Sequence, residues 1–362
     1  MKRQIVFYAP IGKGTPIERI GGAEAGCLKT MDIYTKAGIE VLHLNRPVSK
    51  SGLIKYVIEM CIVPIRLFFM LLVHPLAVIH IVGFYHRTVL QEYIMMSIGH
   101  ILNHKVIYEL RNGSMVKSYN DGSAFYRALL GGLLKKADVV LCQGIEYIDM
   151  IRDKFGIERS YYPNYIMNDF IEPNNTKRGE RLRLVYVGRV VPEKNIDVCI
   201  KVLALLRRDG KDAYLDIVGG YNENYKNMLN KLISEEKVDD FITFHGRKQS
   251  IYIKDILHKA HYFLFPSEEI NEGHSNALTE AMGCGVVPIA STAGFNVSIC
   301  GIPDLIANDV LPESYVRIIK NIEKDNRWAE YSNYCYNRIL NNYTESIVSK
   351  KLISYITPLF AR

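Results

Sequence analysis

LRLVYVGRVVPEKNIDVCIKVLALLRR, residues Leu182 to Arg208, decides the fold. Its first six residues, Leu182 to Val187, are an apolar run of strand length rich in β-branched and aromatic residues. Gly188 and Pro192 then break the chain. From Ile196 to Arg208 apolar residues return at helical spacing, as at Ile196, Ile200 and Leu203. A buried strand, a short loop and an amphipathic helix form the repeating unit of a parallel sheet with helical crossovers. Downstream the unit recurs as strand Tyr214 to Val218, helix Asn222 to Glu236, strand Phe241 to Phe244 and helix Ile251 to Ala260. Strand Tyr262 to Phe265, helix Asn276 to Cys284 and strand Val286 to Ala290 follow. Upstream, strands are expected at Gln4 to Tyr8, Glu40 to Leu44, Ala77 to Val82, Lys105 to Glu109 and Asp138 to Cys142. Helices there include Glu24 to Ala37, stopped by Gly38, and Phe125 to Lys136.

The alternation thus runs twice, and the polar stretch EPNNTKRGER, Glu172 to Arg181, has no hydrophobic period and reads as the linker. The sequence predicts an α/β protein of two doubly wound, Rossmann-like domains, 1–175 and 176–340, facing a central cleft. A terminal segment, 341–362, is expected to cross back to the first domain. A length of 362 residues agrees with two domains. Ligands in such sheets bind beyond the carboxyl ends of the strands, so function is sought in the loops that follow them.

With 48% hydrophobic and 23% charged residues the chain is an ordinary folded protein, which excludes disordered, collagenous and coiled-coil classes. Its net charge of +7, without long like-charge blocks, favours anionic ligands or an anionic membrane surface and gives little reason to expect nucleic acid. The seven cysteines show no C-x-x-C pair or zinc spacing and suit a reducing cytosol. The opening MKRQIVFYAP reads as a first strand, not a signal peptide. Leu67 to His86 holds no Asp, Glu, Lys or Arg over twenty residues, divided by Pro75. It is expected to close a buried helix, Ile54 to Val73, turn at His74 and Pro75, and open a core strand. Lys55 and Arg66, with Phe68, Phe69 and Leu72, suggest that part of this helix rests on a membrane without crossing it.

Four loops carry chemistry. Ala9 to Gly26 is glycine-rich, and Gly21-Gly22 lead into a helix N-terminus, either an anion site or a structural turn. In VGRVVPEKN, Val187 to Asn195, Arg189 and Lys194 are five apart across a turn; a guanidinium and an ammonium there suit a diphosphate, or are solvated surface cations. Gly219-Gly220 mark a third strand end. In the fourth loop, PSEEINEGHSNALTEAM from Pro266 to Met282, Ser275 or Asn276 caps a helix, so that the amides of Gly273 to Ala277 point at whatever is bound. Glu272 precedes that helix and Glu280 lies about one turn inside it; the two carboxylates either address different parts of one elongated ligand or are a loop acid and an exposed helix acid.

Together, G-G-A-E at Gly21, V-G-R-x-x-x-x-K at Val187 and P-S-x(4)-E-G-x(6)-E-A-M at Pro266, in that order along nearly the whole chain, resemble the retaining glycosyltransferases of family 4, of GT-B fold. The resemblance implies that Arg189 and Lys194 hold the diphosphate of a nucleotide-sugar donor, Glu280 the ribose hydroxyls and Glu272 the donor sugar. It further implies that Gly273, His274, Ser275, Asn276, Ala277 and Leu278 surround sugar and phosphate. His245, with Gly246 and Arg247, would line the nucleobase pocket, Gly219 would be a strand end where backbone approaches the donor or merely turns, and Gly21 and Gly22 would close from the other domain. The implied activity is retaining transfer of a hexose-type sugar to a hydroxyl of a saccharide or lipid-linked saccharide, in capsule, O-antigen or exopolysaccharide assembly. Its place would be the cytoplasm or the inner face of the membrane. No D-x-D occurs in the sequence, so metal-independent transfer without a cofactor is expected, cations and a helix N-terminus stabilising the leaving diphosphate.

Many relatives carry a histidine after the fourth strand of the first domain, where this chain reads VIYELRNG, Val106 to Gly113. Glu109 and Arg111 there are candidates for binding acceptor or donor sugar, or form a local ion pair. Lone Trp328 reads as a packing residue. The alternative functions are a non-catalytic nucleotide-sugar-binding scaffold and a GT-B epimerase or hydrolase acting on sugar nucleotides.

Overall fold

The computed structural model describes residues 2–11, 22–47, 53–83, 88–111, 113–158, 160–168, 171–173, 181–268 and 271–361. The chain divides into two compact units, Met1–Asn164 with Val348–Arg362, and Tyr165–Ile347.

The first unit contains strands β1 (Gln4–Ala9), β2 (Glu40–Asn45), β3 (Val78–Gly83), β4 (Val106–Leu110), β5 (Val139–Cys142) and β6 (Ser160–Tyr161). Its helices are α1 (Gly22–Lys36), α2 (Leu53–Val73), α3 (Val89–Ile101), α4 (Met115–Asp121), α5 (Ala124–Lys136) and α6 (Ile145–Phe155). All six strands are parallel, in the order β2-β1-β3-β4-β5-β6. β1, β3 and β4 are buried along nearly their whole length, as central strands covered on both faces must be.

The second unit contains β7 (Leu182–Val187), β8 (Ala213–Val218), β9 (Ile242–Gly246), β10 (Tyr262–Phe265), β11 (Val287–Ser291) and β12 (Ile306–Ala307). Its helices are α7 (Ile196–Arg208), α8 (Glu223–Glu236), α9 (Ser250–Leu257), α10 (Asn276–Gly283), α11 (Asn296–Cys300), α12 (Pro312–Lys324) and α13 (Trp328–Asn342). The order β12-β11-β10-β7-β8-β9, all parallel, reverses direction between β7 and β10. That reversal is the topological switch point of the sheet, and the loops after β7 and β10 flank it, where open α/β sheets receive ligands.

The division between units falls at Asn164, ahead of the polar stretch expected to be the linker. Tyr165 and Ile166 are buried, and Ile166 N–H donates to Tyr343 O, so the chain has already entered the second core. Glu172, inside the polar stretch, pairs with Lys254 at 3.0 Å. At the other end α14 (Glu345–Ile356) buries Val348, Leu352 and Ile356 completely, and the segment from Val348 belongs to the first unit.

The expectation that α2 is buried is corrected. Only 17% of the residues from Tyr56 to Val73 are buried. Val63, Leu67 and Leu71 face inward, while Ile54, Ile65, Phe69 and Val73 are each more than half exposed. High hydropathy reported an apolar helix, but one layer of neighbours covers only one side of it. The helix also runs through Pro64, whose missing N–H frees the carbonyl of Met60 four residues earlier. Gln91 of α3 fills that vacancy, its Nε2 donating to Met60 O at 2.8 Å while its Oε1 accepts from Tyr8 Oη at 2.8 Å.

Candidate functional site

At the end of β7 the chain needs glycine. Gly188 N–H donates to Val218 O, and Gly219 N–H donates to Gly246 O, drawing the ends of β7, β8 and β9 together. A Cβ on Gly219, whose φ is +154°, would stand 1.6 Å from Gly188 O. Arg189 follows with its side chain exposed, its carbonyl accepting from Tyr186 Oη at 2.9 Å. Pro192–Lys194 form a single 3₁₀ turn, and Asn195, at φ 50°, turns the chain into α7.

Asn195 also binds the loop after β10, donating from Nδ2 to Pro266 O at 3.0 Å and to Glu268 Oε2 at 2.8 Å. Glu268 N–H in turn donates to Glu193 O. The two loops flanking the switch point are therefore stitched together, and Lys194 spans them. Its side chain is buried beside the Phe265 ring and donates to Glu272 Oε2 and to Ser267 Oγ, the latter at 3.2 Å. Ser267 Oγ donates to the same Glu272 oxygen at 2.9 Å, and Ser291 Oγ holds the Ser267 carbonyl at 2.6 Å. Behind Glu272 lies Gly294, at φ +55°, where a Cβ would meet Glu272 O at 2.2 Å.

Gly273 to Leu278 lead from this pair into α10. Ser275 is the N-cap, its Oγ accepting from Leu278 N at 3.3 Å, so the free amides of the first turn face the loop side. Gly273, Asn276 and Ala277 are half-buried; Ser275 and Leu278 are buried. His274 is buried against the Tyr343 ring at 5.0 Å, which makes it part of the packing beneath the loop. Glu280 is half-buried, five residues past the cap.

At the far end of β9, His245 Nε2 lies 2.7 Å from Asp216 Oδ1 and its Nδ1 3.0 Å from Tyr252 Oη, while Gly246 adopts φ +65° and Arg247 is exposed. Asp216 was not among the sequence candidates. Its signal was a lone carboxylate inside an apolar strand, AYLDIV. Asn195, Ser267 and Gly294 likewise escaped, since short polar residues and glycines near strand ends look like ordinary loop chemistry.

In the first unit, Gly21 lies outside the described residues and Gly22 is the first residue of α1. Glu109 and Arg111 are buried and joined to one another, Arg111 Nε donating to Glu109 Oε1 at 2.7 Å. His80 Nε2 stands 3.0 Å from the other Glu109 oxygen, and His80 Nδ1 is 2.7 Å from Tyr34 Oη. Arg111 Nη2 donates to Thr30 Oγ1 at 3.0 Å, and its Nη1 fills the space beside Gly26, where a Cβ would lie 1.9 Å away. Burial alone would raise the Glu109 carboxyl, but Arg111 and His80 outweigh it and hold it below the usual carboxylate range. Burial depresses His80 more than Glu109 raises it. Burial also pushes the Cys27 thiol up to about 12. Of the two arrangements the sequence left open for Glu109 and Arg111, the ion pair is present.

The sheet order, the stitched loops and the capped helix define an α/β scaffold of the GT-B type. Residues 167–339 match the family model described as Glycosyl transferases group 1. The chain is 26% identical to an uncharacterized glycosyltransferase of Methanocaldococcus jannaschii over 236 residues, 62% of this chain and 59% of that protein. It is 27% identical to O-antigen chain mannosyltransferase B of Escherichia coli over 148 residues, 40% of this chain and 38% of that protein. The chain thus aligns with about half the length, or less, of these curated relatives. Among solved structures it resembles HepE of Anabaena in complex with UDP, with a TM-score of 0.74 and 13% identity over 98% of this chain and 100% of that one. The fold is GT-B.

Proposed function

We propose that the chain is a glycosyltransferase that moves a hexose-type sugar from a nucleotide-diphosphate sugar to a hydroxyl of a saccharide or lipid-linked saccharide. The observation that carries this reading is the Lys194–Glu272 pair spanning the switch-point loops beside the capped N-terminus of α10. A departing nucleoside diphosphate gathers charge on its β-phosphate oxygen. An ammonium and unpaired helix amides close together can receive that charge, while a carboxylate beside them can receive sugar hydroxyls. In this reading Lys194 turns from Glu272 toward the diphosphate when donor binds and Arg189 closes on it from the surface. Glu272 then contacts the sugar, and Glu280 the ribose.

Gly219, His245, Gly246 and Arg247 line the nucleobase, with Asp216 fixing the His245 ring. Gly273, Ser275, Asn276, Ala277 and Leu278 supply backbone to sugar and phosphate, with His274 beneath them. The second unit is the donor domain and the first the acceptor side, where Gly21, Gly22, Glu109 and Arg111 belong, the last two shaping the site from below. Transfer is retaining, needs no metal and takes place on the cytoplasmic side of a membrane that carries the acceptor. Surface-polysaccharide assembly is supported by the relative named for O-antigen synthesis, and UDP is the first donor base to test because the HepE structure holds it.

The test is thermal unfolding with UDP, GDP, ADP or CMP in the presence of EDTA, on the wild type and on Glu280→Ala. One nucleotide at a hundredfold excess over its dissociation constant adds about 2.7 kcal/mol of stability to the wild type, and the substitution removes most of the gain. Absence of a shift with all four overturns the donor site.

A further inference from the structure

We propose that α2 lies in the plane of a lipid bilayer surface, with a cleft on its flank receiving the headgroup of an anionic glycerophospholipid. The inference deepens the membrane part of the proposed function and rests on it. Ile54, Ile58, Ile65, Phe68, Phe69 and Leu72 are all exposed. At the turn of an α-helix these six fall within about 100° of arc and extend along about 27 Å of its length. An exposed helix face in a water-soluble unit is ordinarily polar; this one is apolar from end to end. The opposite face, Val63, Leu67 and Leu71, is buried in the first unit, and Gln91 of α3 holds the Met60 carbonyl. A helix fixed along one side cannot leave the fold to span a bilayer, so the free side can meet lipid only by lying flat upon it.

Charge and shape select the lipid. Arg66 sits on the edge of the stripe, exposed, with no ion pair or hydrogen bond among the described residues. Beside it a cleft of about 390 Å³ is lined by Arg66, Phe69 and Met70 of α2 and by His43, Leu44 and Asn45 at the carboxyl end of the edge strand β2. The cleft therefore offers a guanidinium for a phosphate and the Phe69 ring for the start of an acyl chain. Phosphatidylglycerol supplies both complements.

Vesicle flotation tests this, with phosphatidylcholine alone or mixed with phosphatidylglycerol, using the full chain, the double variant Ile65→Glu/Phe69→Glu, and Arg66→Gln. The wild type is expected to float with the mixed vesicles, the double variant to partition at least tenfold less, and Arg66→Gln to lose the preference for phosphatidylglycerol. The substituted side chains are exposed, so circular dichroism and the UDP-induced thermal shift should match the wild type in all three proteins. Wild type that stays in the soluble fraction while still shifted by UDP overturns the membrane inference and leaves the transferase reading standing. So does light scattering showing a dimer that Ile65→Glu/Phe69→Glu dissolves, since a second copy would then cover the stripe.

Discussion

Lys194 and Glu272 stand 78 positions apart in sequence and meet inside the fold. Buried charge is tolerable only when partnered, and removing either member leaves the other uncompensated, so each fixes the position of the other. The first unit holds a second such arrangement, His80–Glu109–Arg111, with a consequence for pH. His80 is depressed below its ordinary 6.5, chiefly by burial. As the pH falls below 6.5 the unfolded chain takes up a proton at this histidine that the folded chain refuses, and stability falls. One proton contributes a slope of up to about 1.4 kcal/mol per pH unit. The slope persists until the pH reaches the depressed folded value. Glu109, held below its ordinary 4.5 against the effect of burial, adds its own loss as the pH falls from there through its folded value. Melting temperature should therefore decline from pH 7 toward pH 5, and His80→Gln should lessen that decline. An unaltered profile in the variant would remove His80 from the account.

The strand-end loops act as units because glycines let backbones touch. Gly294 is the clearest case: its φ of +55° and the 2.2 Å approach of a Cβ to Glu272 O leave no room for a side chain. Gly294→Ala should displace the Glu272 loop, lowering nucleotide binding and turnover at least tenfold and stability by about 1–3 kcal/mol. Titration calorimetry with UDP and a melting curve read both. Most elements of this kind were legible in the sequence, because a buried strand followed by Gly or Pro and then a helical period is an unambiguous pattern over ten or more residues. The two-residue strands β6 and β12 were not, being too short to carry any period. The exposed face of α2 was legible only in part, at Phe68, Phe69 and Leu72 beside Arg66; its extent was not, since hydropathy records the character of a side chain and is blind to what covers it. The loops of the candidate site were legible as punctuation, but the contacts that join them were not. Nothing local marks Asn195 as the residue that ties the turn after β7 to Pro266, or Asp216 as the partner of His245.

At the scale of the molecule, each unit has its own sheet and core, yet their sequences are not simply consecutive. The second unit, Tyr165–Ile347, is one unbroken stretch, whereas the first is completed by residues from Val348 onward. Val348, Leu352 and Ile356 are fully buried, and Arg3 lies 5.9 Å from the Phe360 ring. Each of the three aliphatic side chains stabilises the first unit by about 1.5–3 kcal/mol. Deleting residues 348–361 should therefore loosen the first unit alone. Hydrogen exchange should quicken through β1, β3 and β4 while β7, β8 and β10 keep their protection, and uniform loss in both sheets would contradict the division.

The same return of the chain sets an order of events during synthesis. The strands of the first sheet leave the ribosome before any of the second, yet the residues that seal their core are made after Ile347. The unit translated first must wait, collapsed but open, while the unit translated second emerges whole and can close at once. The helix made after the second unit is thus the latch on the sheet made before it, and a ribosome stalled near residue 347 would hold a finished second unit beside an unfinished first.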